Sequence, residues 1–341
     1  MEFLKINASH GEGGGQIVRS AITLSCITNQ PIHLENIRKN RKVSGLRPQH
    51  ITSIRILQKI ANAKTIGAEI GSTELKFIPG KIESLKLNED VGTAGSISLI
   101  LQVLIPVIAI TQNKIELTIK GGTDVLWSPS IDYTNNVLKE AYAKMGIKFS
   151  VELYKRGYYP KGGGEIKLHV SPSNLKSMSF LQRKTNLVKV ICTFSKLSIN
   201  KIEKLVFNIE NKLTKKNFIV ETEIKNEDAI DSGASLLLCS LDNNSVIGID
   251  SLFDKKSQNF NINFDKFVSN SLGVDENLAD MLVVPASLGS KKTVFHVKKI
   301  SKHLETNLFV TSKITGCKYG IGRLNDGFEV IIEGVSNSSI K

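Results

Sequence analysis

The sequence predicts a mixed α/β (α+β) fold in which several small modules stack into one large domain, with a smaller α/β domain inserted. Two observations carry this. A glycine-rich turn, a helical stretch and one or two short alternating strands recur at roughly 70 to 80 residues, and one such unit could hardly bury its own helix faces. Near Leu181 the glycine-rich turns stop, and the recurring pattern returns only with DENLADMLVVPASLG (275–289). The predicted boundaries are therefore 1–180 with 266–341 for the large domain and 181–265 for the insertion.

In chain order, GEGGGQ (11–16) leads into the helical run IVRSAITLSCIT. GLRPQH (45–50) leads into ITSIRILQKIANA, with Pro48 at a first-turn position that needs no N–H. VGTAGS (91–96) opens the apolar run Ile97 to Ile110, which is shorter than the roughly 18 residues of a membrane span and is broken by Ser98, Gln102 and Pro106. A buried helix is predicted there. GGTDVLWSPSID (121–132) precedes YTNNVLKEAYAKMG, which Gly146 should stop. KIELTIK (114–120), IKFSVELYK (147–155) and EIKLHVS (165–171) alternate as half-buried strands. The insertion begins LVKVICTF (187–194), continues with a lysine-rich helix over 200–215, and then reads FIVETEI (218–224). The polar end 334–341 is expected to fray.

A chain of 341 residues with 41% hydrophobic and 23% charged content excludes a disordered or fibrous protein and favours two domains. Forty-five Lys and Arg against 32 Asp and Glu leave +13, a balance that suits a polyanionic partner. Cys26, Cys192, Cys239 and Cys317 lie too far apart to suggest a zinc pair or a disulfide framework, so buried reduced thiols are expected. With no secretory leader visible after MEFLKINASHGEGGG, a cytoplasmic protein with no membrane association is expected.

Five segments concentrate chemistry-bearing residues. In HGEGGGQIVRS (10–20), consecutive glycines ahead of a helix let backbone N–H groups approach an anion, although the spacing and lysine of a P-loop are missing. Glu12 among them would repel phosphate unless a divalent cation lay between, and Arg19 follows about two turns after it. IRKNRKVSGLRPQH (37–50) crowds Arg38, Lys39, Arg41, Lys42 and Arg47 before Gln49 and His50, an arrangement eased by phosphate, though a solvated charge run needs no function. GGTDVLWSPSIDY (121–133) sets Trp127, Pro129 and Tyr133 beside polar Thr123 and Asp124, as a base sandwich would or as a packed loop would. RGYYPKGGGEI (156–166) is a second glycine-rich loop, with Arg156 and Lys161. In KHLETN (302–307), His303 stands at a helix start capped by Ser301, where the dipole favours a neutral imidazole. His33, His169 and His296 alternate within strand-like runs and read as structural, while His10 and His50 adjoin the anion-binding candidates.

HGEGGGQIVRS, GLRPQH, GGTDVLWSPSID, RGYYPKGGGEI, DENLAD and HLETN, in this order, resemble the RNA 3′-terminal phosphate cyclases over nearly the whole chain. The resemblance implies repeated βαβαββ modules with a small α/β insertion. It also implies a ligase that uses ATP and a divalent metal, Mg2+ or Mn2+, and takes RNA ending in a 3′-phosphate as its partner. His303 would attack the α-phosphorus of ATP, releasing diphosphate and forming histidine-AMP. AMP would pass to the RNA 3′-phosphate, and the vicinal 2′-OH would then expel it to close a 2′,3′-cyclic phosphate.

Carried over residue by residue, the resemblance places Gln102, Pro129, Tyr133, Asn277, Leu278, Ala279, Asp280 and Met281 on the nucleotide. It places Arg19, Arg38, Arg41, Gln49 and His50 on the RNA end or the triphosphate, and Glu12 on the metal. Met281 departs from the family's usual Gln, and a thioether cannot donate to a base edge. Tyr133 replaces the usual Phe and preserves a stacking ring. The alternative from another class is a cyclase-like ribosome-biogenesis protein that binds RNA without catalysis; such proteins lack the HLETN histidine. An enolpyruvyl transferase would share only the modules and would leave HLETN and the basic loop unexplained.

Overall fold

The computed structural model describes residues 2–83 and 85–335; the end expected to fray lies largely beyond them, at 336–341. The chain opens with β1 (Leu4–Asn7), α1 (Gln16–Thr28), β2 (Ile32–Glu35), α2 (Pro48–Ile60), β3 (Lys64–Ile66) and β4 (Leu75–Ile78). These strands form one sheet in the order β1-β2-β4-β3, with β1 and β2 parallel and β4 antiparallel to its neighbours. β5 (Lys86–Asp90), α3 (Ile97–Ile110), β6 (Ile115–Gly121), a second helix, β7 (Lys148–Lys155) and β8 (Gly164–Ser171) repeat the plan in the order β5-β6-β8-β7. That second helix runs without a break from α4 (Ile131–Tyr133) through a π turn (Thr134–Leu138) to α5 (Lys139–Lys144).

β9 (Ser179–Phe180) starts a third unit, but before its first helix the chain builds a different sheet. This consists of β10 (Leu187–Ser195), α6 (Ile199–Thr214), β11 (Ile219–Asn226), β12 (Gly233–Leu241), β13 (Val246–Asp254) and β14 (Asn259–Phe260), followed by α7 (Phe264–Val268). Its strand order is β11-β10-β12-β13-β14. The third unit then resumes with α8 (Glu276–Ser287), β15 (Lys292–Val297), α9 (Lys302–Thr315), β16 (Lys318–Leu324) and β17 (Gly327–Glu333). Its sheet order, β9-β15-β17-β16, matches that of the first two units. The recurring glycine turns are therefore the signature of one βαβαββ plan used repeatedly.

Packing explains why the units stay together. α3 is apolar almost all round because it is buried all round, against α1, α2 and α8, while α9 packs on α1 and α8. It is the run read from the sequence as too short for a membrane, and among the described residues no helix is long and apolar enough to cross one.

The central strands β10 and β12 of the five-stranded sheet are buried on both faces. Val188, Val190, Phe194, Leu236 and Leu238 pack with Ile202 and Val206 of α6 in a separate apolar cluster. Ile191, Leu237 and Cys239, one residue out of phase, join the main core. This alternation makes LLLC in β12 read as a continuous apolar run. All four cysteines are free and buried.

Candidate active site

α1, α8 and α9 converge around a network of short polar contacts. Ser20 Oγ on α1 donates to Asn307 Oδ1 on α9 at 2.6 Å, and Asn307 Nδ2 donates to the Asp280 carbonyl on α8 at 2.7 Å. The glycine loop ahead of α1 is fastened to α9 as well: the Glu12 N–H donates to Thr306 Oγ1 at 3.1 Å, and Thr306 donates onward to the Lys302 carbonyl at 2.6 Å. Gly11 sits at φ +61° against that hydroxyl, with which a Cβ would collide. Thr306 and Asn307 follow His303 by three and four residues, so a helix puts all three on one face.

His303 stands at the start of α9, where Ser301 Oγ accepts the Leu304 N–H at 3.1 Å. Its imidazole is about half exposed, and Nδ1 lies 3.2 Å from Glu12 Oε2. Glu12 approaches from the Nδ1 side, so Nε2 is the ring nitrogen turned away from the carboxylate and is the one placed to act as nucleophile. Burial holds the imidazole below its ordinary pKa, and the positive charges of Arg19 and Arg41 add to this against the opposite pull of Asp280. The ring is therefore neutral near pH 7. Glu12 pairs with Arg41 through Oε1, while its buried Oε2 makes no hydrogen bond. Asp280 is likewise buried, its carboxyl pushed up by desolvation, and Oδ1 has no partner.

A second cluster is cationic. Arg19, Arg38 and Arg47 surround the buried His50, whose pKa burial and these three charges lower to about 3. The Arg47 N–H donates to His50 Nδ1 at 3.0 Å, so the ring carries its proton on Nε2, which has no partner. Nε2 points at Gly15, the N-cap of α1, where a Cβ would strike the ring and would lie 3.4 Å from the Arg19 guanidinium. Burial, reinforced by Arg38, brings Arg19 down to about 10. Like charges packed beside an uncapped helix N-terminus, with unbonded donors at Arg19 Nε, Arg38 Nε and His50 Nε2, make a seat for an anion.

A cavity of about 1220 Å³ opens from His303 and Arg19 toward the five-stranded sheet. Gln102, Pro129, Asn277, Asp280 and Met281, all placed on the nucleotide from sequence, line it. Leu278 and Ala279 do not, since both face the core with no exposed surface. Arg41 sits beside Glu12 and His303 rather than on the cavity wall, and the half-buried Gln49 lies behind the Gly95 turn, its Oε1 3.4 Å from where a Gly95 Cβ would be.

Tyr133 differs from the expected stacking ring. It is fully buried, its hydroxyl donates to both oxygens of Asp275 at 2.8 and 2.9 Å, and its ring packs against Gly248 of β13. A ring with no exposed face cannot cover a base in this conformation, whereas Pro129 can. His10 stacks on Phe309, with ring centroids 3.9 Å apart, rather than turning into the anion seat.

Arg156 also has a role the sequence did not suggest. It is buried, donating to Glu227 Oε2 at 2.6 Å, Asp132 Oδ1 at 2.8 Å and Asp124 Oδ2 at 3.0 Å, and its N–H donates to the Asp228 carbonyl at 3.0 Å. It joins the second unit to the end of β11 and offers nothing to a phosphate.

Among the described residues no group of three or more His, Cys, Asp or Glu side chains could hold a metal. A divalent cation held by Glu12 Oε2 alone would complete its shell with phosphate oxygens and water, the usual manner of Mg2+, so the free buried oxygen fits that ion.

The family model for RNA 3′-terminal phosphate cyclase matches residues 10–321. The chain is 36% identical to the RNA 3′-terminal phosphate cyclase of Methanosarcina barkeri, over 97% of this chain and 100% of that protein. It is 37% identical to the protein of the same name from Pyrococcus furiosus, over 93% of this chain and 96% of the other. With that of Korarchaeum cryptofilum the identity is 35%, over 94% of each.

Proposed function

The chain belongs to the RNA 3′-terminal phosphate cyclase family, and from that premise we propose that it converts an RNA 3′-terminal phosphate to a 2′,3′-cyclic phosphate at the expense of ATP. The observation that carries this reading is the neutral His303 imidazole, with Glu12 on its Nδ1 side, at the mouth of a cavity that also holds Arg19, Asp280 and Gln102. In the first step His303 Nε2 attacks the α-phosphorus of ATP and diphosphate leaves, which gives a phosphoramidate of AMP. In the second an oxygen of the RNA 3′-phosphate attacks the same phosphorus and His303 leaves, giving RNA(3′)pp(5′)A. In the third the 2′-OH attacks the 3′-phosphorus and AMP leaves.

A phosphate dianion has no good leaving group of its own, and the adenylyl group provides one. The chain's own residues supply position and charge. Asp280 can accept from a ribose or adenine donor, Pro129 offers one apolar face to the base, and Gln102 can read a polar edge. Arg19, Arg38 and the His50 Nε2–H are suited to grip phosphate oxygens, with Asp280 the carboxylate whose charge reaches Arg19. A divalent cation at Glu12 would neutralise charge on the triphosphate. Met281, at the position where the family resemblance leads one to expect Gln, gives the adenine one donor fewer.

The test uses an RNA oligonucleotide ending in 3′-phosphate and the same strand ending in 3′-OH. With ATP and Mg2+ or Mn2+, the first is expected to become resistant to phosphatase and to recover sensitivity after mild acid opens the cyclic ester. No ATP-dependent resistance would favour the RNA-binding reading without catalysis.

A further inference from the structure

Resting on that reading of the site, we propose that Trp127 and Tyr159 form a stacking platform for the unpaired bases that precede the reacting 3′ end, with Lys255 and Lys256 flanking the strand's backbone. Trp127 is 95% exposed and Tyr159 72% exposed, which is unusual for rings that ordinarily bury most of their area. Both line the cavity that holds His303, and so do Lys255 and Lys256.

The rings are held outward by rigid backbone. Thr123 and Asp124 donate their N–H groups to the Gly157 carbonyl at 2.9 and 3.2 Å, and Asp124 pairs with Tyr158, so the loops carrying Trp127 and Tyr159 run side by side. Asp124 is fixed by Arg156, and Tyr158 is buried, which turns its neighbour Tyr159 to solvent. Trp127 itself sits at φ +61°, a left-handed conformation that bulky residues rarely adopt. Strain kept in a fixed loop to expose an aromatic face marks a contact surface.

The chemistry of that surface fits single-stranded nucleic acid. Every base presents a π face, so aromatic stacking needs no particular sequence, and lysines beside the rings match a phosphate backbone. Lys255 and Lys256 are exposed on the turn between β13 and β14, and among the described residues neither side chain forms an ion pair. Asp254 beside them is engaged by its own turn, accepting from the Lys256 N–H at 2.9 Å and Ser257 Oγ at 3.0 Å. The five-stranded sheet thereby contributes one wall of the RNA path.

Trp127 is the single tryptophan of the chain, so its emission reports on the platform directly. A short single-stranded RNA ending in 3′-phosphate, added without ATP, is expected to quench that emission, saturating near the KM for cyclisation. Trp127→Ala should raise that KM about tenfold, the loss of about 1.4 kcal/mol of stacking, with kcat little changed; Trp127→Phe should recover most of the affinity. The advantage of a six-nucleotide over a dinucleotide substrate should shrink in Trp127→Ala. The proposal is overturned if emission does not respond to RNA that the protein is cyclising, or if ATP alone produces the full quench, since the ring would then serve the nucleotide. Covalent labelling by ATP, which needs no RNA, checks separately that each variant is folded. Failure of the unaltered protein to label or cyclise would count against the functional reading instead.

Discussion

Replacing His303 with alanine is expected to abolish covalent labelling of the protein by ATP and to lower cyclisation by more than about 10³-fold, because the adenylyl group then has no nucleophile to carry it. The side chain is half exposed at the first turn of α9, so unfolding free energy should change by less than about 0.5 kcal/mol. The pH dependence follows from the same geometry. Neutral imidazole is the reactive form, and burial together with Arg19 and Arg41 holds the folded pKa below the ordinary 6.5. The half-maximal point of labelling should therefore fall below pH 6.5, with the decline on its acid side. His50, already lowered to about 3, adds no second limb in that range. Residual labelling of His303→Ala through an acid-labile, alkali-stable bond would move the nucleophile elsewhere.

The second large effect is expected in stability, at the buried ion cluster that includes Asp124 of the cavity wall. Arg156→Ala removes the counter-charge of Asp124 and Asp132, both buried, and of the partly exposed Glu227. Uncompensated buried charge costs about 3 to 5 kcal/mol, which urea unfolding at pH 7 measures directly. Arg156→Lys should recover little, since an ammonium cannot span three carboxylates as the planar guanidinium does. The deficit should narrow as pH falls, because carboxyls that take up protons need no counter-charge. A variant within about 1 kcal/mol of the parent protein would show that the buried cluster is not an anchor.

The fold was legible where its rules are local. Glycine turns before helices, the 14-residue apolar α3 and the alternating β6 and β8 each follow from the period of apolar residues, and their repetition gave the modular plan. The first helix of the third unit stands nearly a hundred residues after its first strand, and only the loss of glycine-rich turns between them signalled the interruption.

The site was legible in part, for a related reason. Residues brought together by one helix, His303 with Thr306 and Asn307, can be grouped from spacing alone. The meeting of Glu12 with His303, or of Arg19 with His50, joins different elements and has no signature in spacing. Tyr133 and Arg156 show the opposite difficulty. An aromatic or a cation in a glycine-rich loop reads the same whether it faces a ligand or a buried partner, and only burial distinguishes the two.

The charge excess also becomes local. Within the +13, Arg19, Arg38, Arg41 and Arg47 are gathered around the glycine loop, and Lys255 and Lys256 stand across the cavity. Such a distribution predicts capture of an RNA end that weakens with salt, without sequence-specific reading.

The central claim is that AMP resides on His303 and moves from there to the RNA. The direct measurement is a single turnover: protein carrying labelled AMP, freed of ATP, is mixed with an equimolar strand ending in 3′-phosphate and sampled over time. Expected is loss of label from the protein, transient label on the RNA end, and then free AMP with a phosphatase-resistant strand. The strand ending in 3′-OH should leave the adduct intact. Retention of the label with the 3′-phosphate strand, or equal release with both, would contradict the transfer.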